Sequence, residues 1–571
     1  MSAQSDYWQR LAAKRLSRRR LLAGAGTAAL GGAVAMLVGC GSGGGGRSAS
    51  SATTTAAPSP VAGGNVTFGR LAYVLGIDPH IDLTGLDINR LVYSYLYDWD
   101  ATTEEMVLNN LAEGFEQPDP LTYIFTLRQG VMTHPGDYAG ANDEMTAEDC
   151  RQSFLRRGSS ITSPDKRFPY RIAGSRDKAM LDAALQAPDR YTFTFTMADP
   201  FVAALSEMAR SSWAIVPAKV INEYGLRLSQ RAHGSGPFML EEFRGTERII
   251  LRRHPNYFHQ GRPYLETIAY LWITDGSSLL DAFESGVHDV CGATLDKEWY
   301  DGNKRKDEYR VSRGNALSFH AIQYKITRPP FNDPRVLAAI DLAIDRDSYI
   351  ETVLDGEGQY NGPVPWALQQ WALPQEELRA FYEPDRGRAR ALLAEAGHGA
   401  GFRVTLKLPR VSDAVFLADT ASLIVQSADR IGVDLELDAP HPISVPILVL
   451  PGNFDMALMR VGPIDEPGQA LSAYHSNGTT GNGNETNYTN PQLDQLIDAQ
   501  AREFDPEVRR GLIYEAQRLI LREHGPQVAL PSGYEYSARW RHAHFPGEDG
   551  AAPPPGKLPY GCDIWTEKGD G

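Results

Sequence analysis

The sequence predicts an α/β protein of more than one lobe, and three observations carry that prediction. Apolar residues alternate with threonine at Leu121–Leu127 and at Tyr191–Met197, the period of a half-buried strand. Between such stretches, helices are punctuated by Asp-Pro and Asn-Pro pairs, so strands and capped helices interleave. About 510 residues follow an N-terminal linker, too many for a single hydrophobic core.

The elements follow in order. Residues 15–40 combine Ser17-Arg18-Arg19-Arg20-Leu21-Leu22, a Gly/Ala/Val stretch, and Leu37-Val38-Gly39-Cys40. The first cluster is similar to a twin-arginine export signal, and the last resembles a lipobox whose cysteine accepts a lipid. A retained transmembrane anchor is the alternative, but the stretch from Leu21 to Val38 is rich in Gly and Ala and only weakly apolar. Residues 41–60 are Gly, Ser, Ala, Thr and Pro with one Arg, a flexible composition that cannot bury a core. Shorter apolar runs at 267–273 and 402–408 read as further strands. Asp333-Pro334 opens a helix with Val336, Ile340, Ala343 and Ile344 inward, and Asp385 caps another that Gly397 ends. Asn490-Pro491 and Asp505-Pro506 open two consecutive helices. Leu493, Leu496, Ile497, Ala501 and Phe504 line the first; Val508, Leu512, Ala516, Leu519 and Ile520 line the second.

The formal charge is −15, and −20 once residues 1–39 depart with six basic residues and one acid. An acidic body repels phosphate backbones, so nucleic-acid binding is not expected. Four cysteines occur, Cys40, Cys150, Cys291 and Cys562, without a CxxC spacing. A cysteine-based zinc site is therefore not expected, and the last three read as buried thiols.

A series of motifs then runs through the body in order. It comprises Gly63-Gly64-Asn65-Val66-Thr67-Phe68 with Ile77-Asp78-Pro79-His80; Leu111-Ala112-Glu113 through Tyr123–Val131, His134 and Met145–Asp149; Gly234-Ser235-Gly236-Pro237-Phe238; and Arg253-His254-Pro255-Asn256-Tyr257. Pro330-Phe331-Asn332-Asp333-Pro334-Arg335-Val336 and Asn487-Tyr488-Thr489-Asn490-Pro491 complete it. From about residue 63 to about residue 547 the chain resembles the family 5 extracytoplasmic solute-binding proteins of peptide/nickel-type ABC importers.

The resemblance implies a two-lobed, type II periplasmic-binding-protein-like fold, its first lobe discontinuous and enlarged by an extra subdomain. The implied division is a signal over 1–39, lipidated Cys40 and linker to 61, lobe I over 62–318, lobe II over 319–530, and a return to lobe I over 531–571. Crossovers are expected near 315–322 and 528–534. It also implies a monomer, lipid-anchored outside the cytoplasm, that closes its lobes around a solute and delivers it to a permease and ATPase complex without a cofactor. Short peptides lead as cargo. An oligosaccharide, opine, glutathione-like compound or nickel chelate is the alternative, as is a ligand-sensing lipoprotein using the same switch.

Peptide binders of this family place an acid on the ligand's ammonium group, and here the loop reads Arg460-Val461-Gly462-Pro463-Ile464-Asp465-Glu466-Pro467. Asp465 or Glu466 can supply that carboxylate; a solvated loop acid is the other reading of Asp465. Arg460 can meet a ligand carboxylate or pair with Asp465. Tyr360, Trp366 and Trp371 lie in a stretch that lines the pocket in relatives, as ligand platforms or as core. His475 can touch a metal chelate or be structural, and Lys325 stands where the family often has asparagine. An enzyme is not expected: there is no G-x-S-x-G elbow and no H-E-x-x-H. Gly550–Lys557 has five residues between its glycines and prolines among them, which rules against a phosphate loop.

Overall fold

The computed structural model describes residues 59–568, except 72–73, 75, 83–84, 100–105, 109, 160–170, 176, 274, 409–413, 439–452, 479–483 and 547–560. The signal segment, Cys40, most of the linker and the whole Gly550–Lys557 stretch lie outside the described residues.

Three sheets of four or more strands organise the described residues, beside two two-stranded ones. A seven-stranded mixed sheet runs in the order Tyr309–Asn315, Tyr534–Trp540, Val290–Leu295, Asn65–Arg70, Thr267–Trp272, Arg248–Arg253 and Phe238–Arg244. Its strand Asn65–Arg70 pairs in parallel with both neighbours, and the flanking pairs are antiparallel. A five-stranded sheet runs Val433–Asp438, Phe402–Lys407, Met456–Val461, Phe319–Tyr324 and Gln527–Ala529. The third sheet is antiparallel, in the order Ala112–Glu116, Thr122–Leu127, Thr192–Thr196 and Leu185–Gln186. The four sequence-predicted strands are all present, within a residue or two of the expected limits.

The chain leaves the seven-stranded sheet at Asn315, enters the five-stranded sheet at Phe319, leaves it at Ala529 and returns at Tyr534. Lobe I is therefore discontinuous, and the four-stranded sheet is its extra subdomain. Helix Ala147–Ser159 packs on that small sheet through Phe154, whose ring lies 4.9 Å from Phe193 and 4.9 Å from Trp213. Ile215 N–H donates to the Ser94 carbonyl, stitching the subdomain's exit to its entrance.

The helix caps work as their sequences require. Asp333, Asp385, Asn490 and Asp505 each accept a backbone N–H in the first turn of the helix that follows, and Pro334, Pro491 and Pro506 occupy first-turn positions that need no donor. The inward stripe of Pro506–Arg522 differs from expectation. Val508 is exposed, while Arg509, Ile513, Ala516, Gln517 and Ile520 are buried. Two buried polar residues, each hydrogen-bonded, turn the helix about its axis, and an apolar-only pattern misses them.

The Asp78-Pro79-His80 turn also proves structural. Buried Asp78 takes two hydrogen bonds from Arg156 of helix Ala147–Ser159, at 2.8 and 2.5 Å. His80 accepts from Arg156 on Nδ1 and donates from Nε2 to the Ala214 carbonyl, so its ring is neutral. Cys150, Cys291 and Cys562 are buried thiols, none of them in a disulfide.

Burial drives four histidines well below their ordinary value: His134, His80 to about 3, and His233 and His254 to about 4. The unfolded chain, with histidines near 6.5, binds more protons than the folded one between pH 4 and 6.5. The contribution of these groups is present above pH 6.5 and disappears as pH falls through the folded values. Unfolding at pH 5.5 is expected to take up on the order of three to four protons onto these rings. Calorimetry in buffers of different ionisation enthalpy measures that uptake, and none at this pH contradicts the reading.

Candidate functional site

The two crossovers are short, and the candidate residues gather around them. The loop after Met456–Val461 packs on the first: Ile464 N–H donates to the Leu317 carbonyl at 2.9 Å. Gly462 has φ +105°, and a Cβ there would stand 2.7 Å from that same carbonyl, so glycine is required by conformation and by space.

The second crossover is braced by the segment around Tyr360. Gln359 and Ser532 exchange backbone hydrogen bonds at 3.0 and 3.1 Å. Asn361 donates to the Leu530 carbonyl at 2.8 Å, and the Trp366 indole N–H reaches Ser532 Oγ at 2.9 Å. Gly533 is needed here too, because a Cβ would meet the Glu357 carbonyl at 2.8 Å. Glu357 in turn receives Arg313 at 3.2 Å and the Tyr536 hydroxyl at 3.0 Å, joining a lobe II loop to the lobe I sheet. The Arg313 guanidinium lies over the Tyr534 ring at 3.4 Å.

The aromatic candidates take structural places. Tyr360 is buried with Ile350, Leu373, Leu378 and Tyr382, and burial pushes its hydroxyl up to about 12. Trp366 is buried against the second crossover, with its ring edge-on to Tyr534 at 5.6 Å. Trp371 is half-buried, its carbonyl accepting from Gln517 and its ring 5.1 Å from the Arg509 guanidinium. Among the described contacts, these three serve as hinge or core.

The adjacent acids separate sharply. Glu466 is buried and both its oxygens are engaged: Oε2 caps helix Pro467–Ser472 at Gln469 N–H, 3.0 Å, and Oε1 pairs with Arg509. Arg509 is further held by Gln500 through its carbonyl and side chain at 3.2 Å. This pair ties three lobe II helices together and leaves both Glu466 oxygens engaged. Asp465, by contrast, is one-third exposed and pairs with Arg210 of the extra subdomain at 2.5 Å. Arg210 also donates to Gln469 at 2.7 Å, and its Nε lies 3.2 Å from Glu207. Arg460 does not pair with Asp465; its partner is Glu535 of lobe I at 3.4 Å, and it stays 44% exposed.

Arg210 was missed by sequence reasoning, since nothing near residue 210 marks it and its partner is 255 positions away. His475 lies between Asp494 and Asp498 at 3.7 and 3.5 Å, within lobe II. Lys325 donates to the Glu485 carbonyl at 2.8 Å. No group of His, Cys, Asp and Glu suited to a metal ion occurs among the described residues.

The arrangement is that of two bodies joined at two short crossovers, with Asp465 one-third exposed beside the first of them. Comparison with known proteins accords with it. Residues 107–483 match the family model of bacterial extracellular solute-binding proteins, family 5. The chain is 24% identical over 496 residues to di/tripeptide-binding protein 1 of Pseudomonas aeruginosa, covering 82% of this chain and 89% of that protein. It superposes with a TM-score of 0.76 on DppA of Helicobacter pylori bound to the peptide STSA, at 22% identity over 89% of this chain and 99% of that one. AgaA of A. tumefaciens R10 bound to agropinic acid gives 0.75, at 22% identity, with 89% and 99% covered.

The two acids predict opposite mutational outcomes. Arg509→Leu strands Glu466 and is expected to cost about 3–5 kcal/mol in urea denaturation. Asp465→Asn, at an exposed pair, is expected to cost under about 1 kcal/mol.

Proposed function

The chain belongs to the bacterial extracellular solute-binding proteins of family 5, and we propose that it captures short peptides in the interlobe cleft for an ABC importer. The observation that carries this reading is Asp465. It is the accessible acid at the first crossover, presented where lobe I and lobe II meet, and one of its oxygens is held by Arg210. A peptide's terminal ammonium matches such a carboxylate, and closure around it removes competing water. The peptide-bound and peptide-named relatives support the same class.

A second reading has its own support. Arg460 is an exposed guanidinium on the strand leading into the same loop, suited to a carboxylate, and AgaA holds agropinic acid in a similar fold. A small solute bearing an amine and several carboxylates would engage both charges. Delivery would be to a permease and ATPase complex, from a position tethered by lipid on Cys40. No helix among the described residues is long and apolar enough to cross a membrane.

Di- and tripeptides are expected to raise the melting temperature increasingly as their excess grows. Asp465→Asn is expected to weaken peptide binding about tenfold or more while leaving the fold intact. A shift with an opine-like solute, a sugar or a nickel chelate and none with peptides overturns the peptide reading. Cys40→Ser is expected to move the protein from the membrane fraction to the soluble fraction.

A further inference from the structure

We propose that the arrangement seen here is the closed one and is held by a direct clasp between the extra subdomain and lobe II, with Arg210 as its pin. This rests on the reading that the lobes close around a solute, but not on which solute. Three contacts join the same two surfaces. Arg210 reaches Asp465 and Gln469, Val202 N–H donates to the Ala501 carbonyl at 2.9 Å, and Arg502 pairs with Asp199 at 3.3 Å. They involve one short subdomain segment, residues 199–210, and two lobe II helices, Pro467–Ser472 and Pro491–Arg502.

Both sides of the clasp are built rigid. On the subdomain side, Arg90 donates to the Ala209 carbonyl at 2.6 Å while pairing with buried Asp98 at 2.5 Å, fixing the backbone beside Arg210. The Tyr95 hydroxyl donates to the Ser211 carbonyl at 3.2 Å on the other side. Across the cleft, Asp465 stands between buried Ile464 and the engaged Glu466. Two preorganised surfaces therefore meet with little ordering left to do when the lobes approach.

These contacts need only protein atoms, so they favour closure whatever lies in the cleft. The equilibrium between open and closed forms is then set partly by the clasp, and an apparent dissociation constant scales with the fraction of molecules able to close. Arg210 thus acts as a positioning residue for every cargo.

Small-angle scattering of the protein without added ligand reads the closed fraction directly. Arg210→Gln and Arg502→Asp are each expected to enlarge the radius of gyration, and raised salt should act the same way on the unaltered protein. The exchange Asp199→Arg with Arg502→Asp re-forms the pair with reversed polarity and should restore compactness. Both of those side chains are about half exposed, so loss of fold does not confound the result. Arg210→Gln is also expected to raise the apparent dissociation constant several-fold, and by the same factor for any solute that binds. Unchanged scattering in both single variants overturns the clasp. So does a loss of affinity confined to ligands with a free amine, which would make Arg210 a tuner of Asp465 alone. A protein that opens on Arg210→Gln yet shows no thermal shift with peptides keeps the clasp and loses the cargo.

Discussion

Everything in this molecule depends on two short crossovers. Among the described residues, 316–318 and 530–533 are the covalent passages between the seven-stranded and five-stranded sheets. Each end of each passage is a sheet strand with its hydrogen bonds already made. Neither body can deform cheaply, so relative motion concentrates in a few residues. The neighbours of those residues are correspondingly constrained. Gly462 and Gly533 allow backbones to approach where a methyl group would not fit, and Trp366, Asn361 and Gln359 hold the second passage in place. Trp366, open in the sequence to a reading as ligand platform or core, donates to Ser532 of that passage.

The adjacent acids show how burial divides chemistry between identical functional groups. Glu466 lies where helices converge, has no oxygen to spare and contributes by neutralising Arg509 in a poorly solvated place. Asp465, one residue earlier, points its charge into the space between bodies. The scaffold leaves Asp465 one-third exposed and consumes Glu466 in the lobe II architecture. Glu357 follows the structural pattern at the second crossover, gathering Arg313 and Tyr536.

Much of the fold could be read from the sequence because its signals are local. Alternation placed the strands at Thr122–Leu127 and Thr192–Thr196, and Asp-Pro and Asn-Pro pairs placed the helix starts. The family resemblance drew attention to the loop around Asp465. What escaped is non-local or polar. The face of helix Pro506–Arg522 turned because Arg509 and Gln517 are buried for their hydrogen bonds. Tyr360 and Trp366 were ambiguous because a buried aromatic and a ligand platform have the same composition. Arg210 carried no mark at all, since its meaning arises only when the subdomain is folded against lobe II.

The return of the chain to its first lobe has a consequence for synthesis. Strand Tyr534–Trp540 lies inside the seven-stranded sheet, with Tyr309–Asn315 on one side and Val290–Leu295 on the other. Until that strand arrives, both neighbours present unpaired backbone edges, and the outer one has no place in the sheet. Lobe II, whose strands span residues 319–529, can finish earlier. Assembly of lobe I is thus a late event governed by long-range pairing, and a nascent chain stopped short of residue 534 exposes two adhesive edges. The sheet thereby distinguishes a finished polypeptide from a truncated one before any solute is met.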